Sequence, residues 1–134
     1  MKPYRLVVIT PEKTFFDGET TQITVRTTEG DIGILADHIS LVAALPAGPM
    51  KIMQDNEFRL AAISSGLIKV GGNHVNIFAD AVEWAEDIDI DWAKRSEEDA
   101  LRRKEHSKNA HDMERAELKL QRALNRLRVS SMKQ

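Results

Sequence analysis

The spacing of apolar residues changes once along the chain, within the acidic segment 79–93. Before this segment, apolar residues alternate with polar ones or form short runs, which is typical of β-strands. After it, they recur every three or four residues, as on one face of a helix. The segment contains six acidic residues: Asp80, Glu83, Glu86, Asp87, Asp89 and Asp91. The pattern predicts a β-rich domain, residues 1–86, followed by a helical domain, residues 87–134.

Short strands and turn signals alternate through the first domain. Residues 20–27 alternate so that Ile23 and Val25 share one face of a strand. Residues 28–33 hold two glycines and predict a tight reversal. Hairpins are predicted with turns at residues 55–57 (Asp-Asn-Glu) and 71–73 (Gly-Gly-Asn). Six to ten strands of this kind favour a small antiparallel sandwich or barrel.

Two helices are predicted after residue 89. Asp89 or Asp91 can cap a first helix that runs from Ile90 to about His106, and Asn109 can cap a second. The second helix carries one apolar stripe, formed by Met113, Ala116, Leu120, Ala123, Leu124 and Leu127.

Alanines dominate the contact positions of this predicted helical hairpin. They allow the helices to approach closely but bury little apolar area, and burial stabilises by only about 25 cal/mol per Å². We therefore expect the closed hairpin to lie so close in free energy to an open form that a ligand or partner can reverse the preference.

Charge is divided unevenly along the 134 residues. Residues 1–90 hold 7 basic and 13 acidic residues, whereas residues 91–134 hold 12 and 8. The basic tail is therefore expected to meet something acidic. The chain has no cysteine, which excludes disulfides and thiolate chemistry. No apolar run approaches the ~18 residues of a membrane span, so no membrane insertion is expected.

Candidate reactive groups each have a simpler structural interpretation. Asp37-His38 could be an acid–base pair or half of a metal site, but the other histidines are scattered, which favours a histidine held in a turn. The acidic residues of segment 79–93 could bind a divalent ion, but a helix cap is favoured. Trp84 and Trp92 could stack on a base, although single tryptophans are more often packing residues. The first domain is acidic and the arginines lack interleaved aromatics, so no nucleic-acid partner and no catalytic centre are predicted.

Three segments resemble the epsilon subunit of the F-type ATP synthase: residues 6–13 (LVVITPEK), 29–41 (EGDIGILADHISL) and 79–90 (ADAVEWAEDIDI). The resemblance implies an α+β chain, with an antiparallel β-sandwich of about ten strands followed by an antiparallel two-helix hairpin. It implies a non-catalytic rotor subunit that couples proton translocation to ATP synthesis and inhibits ATP hydrolysis. The implied partners are the gamma subunit, the c-subunit ring and the alpha/beta catalytic subunits, and the implied location is peripheral, at the cytoplasmic face of the plasma membrane. The alternatives are a free-standing nucleotide-sensing module and an enzyme that uses Asp37-His38.

The resemblance also implies two sets of functional residues in the hairpin. Inhibitory contacts with acidic residues of the beta subunits would be made by Arg115, Lys119, Arg122 and Arg126. In relatives whose compact hairpin binds ATP, the motif reads Ile/Leu-Asp-x-x-Arg-Ala. The matching positions here are Glu83, Ile88, Asp89, Ala93, Arg122 and Arg126. Trp92 stands where the motif has arginine, and an indole cannot replace a bidentate guanidinium. We therefore expect no required cofactor and a weakened site for ATP with Mg²⁺ as regulatory ligand.

Overall fold

Two compact units make up the chain, which divides between Trp84 and Ala85. The structure is a computed structural model that describes residues 2–132. Residue 1 of the predicted β-domain and residues 133–134 of the predicted helical domain lie outside the described residues.

The first unit contains ten strands within the described residues. They are β1 Tyr4–Ile9, β2 Thr14–Thr20, β3 Ile23–Thr27, β4 Gly30–Ile34, β5 Leu41–Leu45, β6 Gly48–Gln54, β7 Glu57–Ile63, β8 Gly66–Gly71, β9 His74–Ala79 and β10 Val82–Trp84. They form two five-stranded sheets, in the orders β2-β1-β9-β8-β5 and β10-β7-β6-β3-β4. All pairs are antiparallel except β1 with β9, which are parallel. The predicted β-sandwich is confirmed.

Alternate side chains of the strands build one apolar core. Ile23 and Val25 on β3 are buried, as their spacing predicts. The hydroxyl of Tyr4 donates a hydrogen bond of 2.6 Å to the Ile34 carbonyl inside this core. The largest fully buried side chains of the unit include Leu6, Ile23, Ile34, Met50, Ile52, Ile68 and Ile77.

The predicted reversal at residues 28–33 is wrong in extent. Only residues 28 and 29 connect the strands, because Gly30 already pairs with Thr27 in the β3–β4 ladder. Gly30 has a φ of 119° and so needs glycine's freedom, whereas Gly33 is an ordinary strand residue opposite Thr24. The two glycines, Gly30 and Gly33, are typical of a turn, but both belong to the short strand β4.

Both predicted hairpins are present, with turns one residue shorter than expected. Glu57 pairs with Gln54, so the first turn is Asp55-Asn56, and both of its residues have positive φ. This is the conformation that matches the twist of the flanking strands, and aspartate and asparagine tolerate it. In the second hairpin Gly71 belongs to β8, and the turn is formed by residues 72 and 73.

The second unit begins with a 3-10 turn, Ala85–Asp87, and continues as helices α1, Ile90–Glu105, and α2, Ala110–Met132. Asp89 caps α1, since its Oδ1 accepts a hydrogen bond of 2.9 Å from the Trp92 amide. Both helix predictions are confirmed. Within residues 2–132, neither helix is apolar over enough of its length to cross a membrane.

Alanines are prominent among the buried side chains of α1 and α2. Ala93, Ala100 and Ala123 are fully buried, and Ala116 is 3% exposed. These four residues are called the alanine seam below. Such a seam stabilises weakly, because a methyl group removes little apolar surface from water.

The predicted stripe of α2 is only partly correct. Leu120 is buried, but Met113 is 39% exposed. Met113 lies in the first turn of α2, close to the loop that joins the helices. Val129 and Asn125 are buried although the stripe did not include them.

Candidate functional site

Three basic side chains of the hairpin contact the Asp99 carboxylate. Asp99 on α1 accepts a hydrogen bond from Lys119 on α2, and Arg103 Nε lies 3.0 Å from the same oxygen, Oδ2. Arg102 lies 3.6 Å from the other oxygen, Oδ1. The Lys119 hydrogen bond lowers the pKa of Asp99 below its usual value, and the nearby positive charge of Arg103 acts in the same direction.

A second ion pair crosses the hairpin closer to its loop. Lys104 on α1 lies 2.8 Å from Glu117 on α2, and Gln121 donates a hydrogen bond of 2.8 Å to the same carboxylate. The hydrogen bond from Lys104 lowers the pKa of Glu117. Because both pairs are substantially exposed to solvent, they stabilise the closed hairpin only modestly.

A basic cavity of about 480 Å³ lies at the loop end of the hairpin, and it is called the hairpin groove below. Arg103 and His106 contribute from the end of α1. The full lining is Arg103, His106, Ser107, Asp112, Arg115, Ala116, Leu118, Lys119 and Arg122. Four of these side chains are cationic and one, Asp112, is acidic, so the groove is suited to anions.

The residues predicted for inhibitory contacts divide into two environments. Arg115, Lys119 and Arg122 all line the hairpin groove. Lys119 is engaged with Asp99 there. Arg126 lies one turn further along α2, with its guanidinium carbon 5.0 Å from the centre of the Trp92 ring. This arrangement is a cation–π contact.

The residues predicted for nucleotide binding also have structural roles. Asp89 caps α1, Ala93 belongs to the alanine seam, and Ile88 is 8% exposed. Arg122 lines the groove and Arg126 contacts Trp92. Glu83 belongs to the other unit, on β10, where it pairs with Ala62 of β7.

Trp92 is nearly half exposed and lies beside Arg126. An arginine at position 92 would place a second guanidinium in this position, and two like charges repel unless an anion lies between them. The indole instead attracts the Arg126 guanidinium without any ligand.

The other candidate groups have the contacts of structural residues. His38 Nδ1 lies 2.8 Å from the Ile39 carbonyl, and Asp37, whose φ is 64°, pairs with Lys2 at 3.3 Å. Within residues 2–132, no three His, Asp or Glu side chains are grouped to hold a metal ion. Trp84 packs in the β-domain, with its ring centre 4.5 Å from that of Phe15.

Reasoning from sequence missed the α1 half of the basic site. Asp99, Arg103 and His106 were not singled out, because the register of α1 against α2 decides which residues meet. One signal was present, since Arg102 and Arg103 follow Asp99 at the spacings of three and four that allow ion pairs on a helix.

Family comparisons cover both units. Residues 3–85 match the family model described as the beta-sandwich domain of the ATP synthase Delta/Epsilon chain, and residues 86–131 match its long alpha-helix domain. The chain belongs to the ATP synthase delta/epsilon chain family. An ATP synthase epsilon chain from Ruminococcus albus is 39% identical over 134 residues, which is 99% of this chain and 100% of that protein. One from Caldicellulosiruptor bescii is also 39% identical, over 97% of this chain and 95% of its own.

Two solved structures of mitochondrial ATP synthases contain a chain of similar fold. A chain of the Euglena gracilis OSCP/F1/c-ring structure superimposes with a TM-score of 0.78 at 23% identity, covering 90% of this chain and 76% of its own. A chain of the Tetrahymena thermophila central stalk/c-ring structure superimposes with a TM-score of 0.63 at 18% identity. The match covers 94% of this chain and 95% of that chain. At these identities the likeness shows the fold alone.

Proposed function

We propose that the chain is the epsilon-type rotor subunit of an F-type ATP synthase. The supporting observation is that both family domains match in order and that curated relatives named ATP synthase epsilon chain align over nearly their whole length. In this role the subunit binds gamma and the c-subunit ring at the cytoplasmic face of the membrane. It helps couple proton flow to ATP synthesis and supplies no reacting group itself.

Inhibition of ATP hydrolysis follows from a hairpin that opens easily. The alanine seam buries little area and the crossing ion pairs are exposed, so each of these interactions opposes separation of α1 from α2 only weakly. In the closed hairpin Lys119 forms an ion pair with Asp99. Opening releases Lys119 and turns the basic face of α2 toward acidic residues of the catalytic subunits.

We propose that the family's nucleotide site binds MgATP weakly here. With arginine at position 92, a phosphate could lie between its guanidinium and that of Arg126. Here Arg126 contacts the Trp92 ring instead, so the closed hairpin does not depend on such a phosphate. The site also lacks the bidentate phosphate contact that arginine would supply.

The inhibitory role is tested in the assembled synthase. We expect the triple variant Arg115→Gln, Arg122→Gln, Arg126→Gln to raise ATP hydrolysis and to make the remaining inhibition less sensitive to salt, because these contacts are electrostatic. The matched control removes three exposed charges elsewhere in the hairpin, Lys94→Gln, Arg95→Gln and Lys108→Gln. Equal hydrolysis in the two variants would contradict the proposal.

Binding to gamma separates the rotor role from its alternative. A rotor subunit is recovered with gamma when the two are co-expressed, whereas a free-standing nucleotide sensor is not. Recovery of the β-domain alone, residues 1–84, with gamma would further place the rotor contact outside the hairpin.

A further inference from the structure

We propose that Asp99 regulates the opening of the hairpin, because its carboxylate competes with acidic residues of the catalytic subunits for one inhibitory cation, Lys119. The inference rests on the proposed function, in which Lys119 contacts those subunits once the hairpin has opened. Asp99 lies on α1, whereas the predicted inhibitory contacts all lie on α2. It therefore sets how readily inhibition begins without taking part in the inhibitory contacts.

The ion pair between Asp99 and Lys119 joins the two helices across 20 residues of sequence. Each of the two side chains is 33% exposed, whereas Arg103 is 63% exposed. On each helix the next residue along the chain is buried, Ala100 on α1 and Leu120 on α2. The pair therefore lies beside buried positions, and its attraction acts only while the helices are together.

Two arginines of α1 make Asp99 a partner that releases Lys119 easily. Arg103 Nε lies 3.0 Å from Oδ2 of Asp99, and Arg102 lies 3.6 Å from Oδ1. Since they follow Asp99 on the same helix by four and three residues, both remain beside its carboxylate when α2 moves away. The carboxylate thus keeps cationic partners in the open hairpin, and in the closed hairpin the arginines repel Lys119.

The other crossing ion pair has the opposite polarity. There the cation, Lys104, lies on α1 and the carboxylate, Glu117, lies on α2. Opening of this pair exposes a negative charge on α2, which repels acidic residues of a partner rather than attracting them. Of these two pairs, only the pair of Asp99 with Lys119 links opening of the hairpin to release of an inhibitory cation.

Limited proteolysis of the purified full chain tests the opening step. Thermolysin is suited to this test, because it cuts beside apolar residues, which none of the variants changes. Asp99→Asn and Lys119→Gln should each speed cleavage by about two- to fivefold, the effect expected for a partly exposed ion pair. The matched control Glu98→Gln removes an exposed carboxylate of the same helix and should change the cleavage rate little.

ATP hydrolysis by the assembled synthase separates competition from a merely structural role. Asp99→Asn should lower hydrolysis, because the hairpin opens more often and Lys119 is intact. Lys119→Gln opens the same pair but also removes a charged contact with the catalytic subunits, whose loss weakens inhibition by about tenfold. Since this loss exceeds the gain from opening, Lys119→Gln should raise hydrolysis. A structural role alone would move both variants in the same direction.

Two further variants guard against loss of folding. Arg103→Gln removes a cation that repels Lys119 and partners Asp99 in the open form, so it should slow cleavage by about twofold. Unfolding cannot slow cleavage. Asp99→Glu retains the carboxylate and should restore hydrolysis toward the wild-type rate. Circular dichroism confirms that each variant keeps its helices.

Three results would overturn the proposal. They are equal cleavage of Asp99→Asn and Glu98→Gln, faster cleavage of Arg103→Gln than of the wild type, and hydrolysis that shifts in the same direction in Asp99→Asn and Lys119→Gln. The cleavage assays need no other subunit, so they can fail while binding to gamma and the rotor function stand. Failure of the rotor function would instead appear as loss of binding to gamma with the cleavage differences unchanged.

Discussion

Enlarging one residue of the alanine seam should open the hairpin. Ala123 is fully buried, and Ala123→Leu adds three carbon atoms at this position. Overpacking of this kind costs about 1–3 kcal/mol. If the cost falls on the closed form alone, the ratio of open to closed hairpin rises by about 5-fold to 150-fold.

Limited proteolysis measures this shift, because an open helix pair is cleaved faster than a closed one. Ala110→Leu is the matched control, since it makes the same change at an exposed position of α2. On the proposed function, Ala123→Leu should also lower ATP hydrolysis by the assembled synthase, because the open hairpin inhibits. Equal cleavage of the two leucine variants would show that the alanine seam does not limit opening, and the reasoning would fail.

The other predictions concern one residue of each unit. Trp92→Arg should tighten MgATP binding by about tenfold in calorimetry, because a bidentate phosphate contact is gained. Without nucleotide the same variant should be cleaved faster, because its guanidinium repels Arg126; unchanged affinity and cleavage would contradict both effects. Tyr4→Phe should lower the free energy of unfolding in urea by about 1–3 kcal/mol, because it leaves the buried Ile34 carbonyl without its partner. Burial raises the pKa of Tyr4, so the folded chain keeps this proton when the unfolded chain loses it. The wild type should therefore lose stability as pH rises above the ordinary tyrosine value of about 10, and Tyr4→Phe should lose less.

Local signals in the sequence predicted local structure well. Asp89 and the Asp55-Asn56 turn act through neighbouring backbone groups, so their roles follow from a few adjacent residues. The alternation of Ile23 and Val25 likewise fixed which face of β3 is buried. The length of the turn between β3 and β4 does not follow from the sequence, because a glycine such as Gly33 occurs both in strands and in reversals.

Features that depend on distant pairing could not be predicted in this way. Asp99 meets Lys119 only because α1 and α2 pack in one particular register, and nothing near either residue specifies that register. The hairpin groove therefore became visible only in three dimensions. The same reason explains why Val129 was missed, since a single stripe on α2 does not show which further positions become buried.

The parallel pairing of β1 with β9 has a consequence for how the chain is made. Arg5 lies opposite His74, so the first strand gains this neighbour only after more than half of the polypeptide has been synthesised. Contacts between residues so distant along the chain slow folding, whereas a helical hairpin forms from nearby residues. The β-domain is therefore expected to mature late on the ribosome. A nascent chain that stalls before β9 should expose the edge of β1 to aggregation or to chaperones.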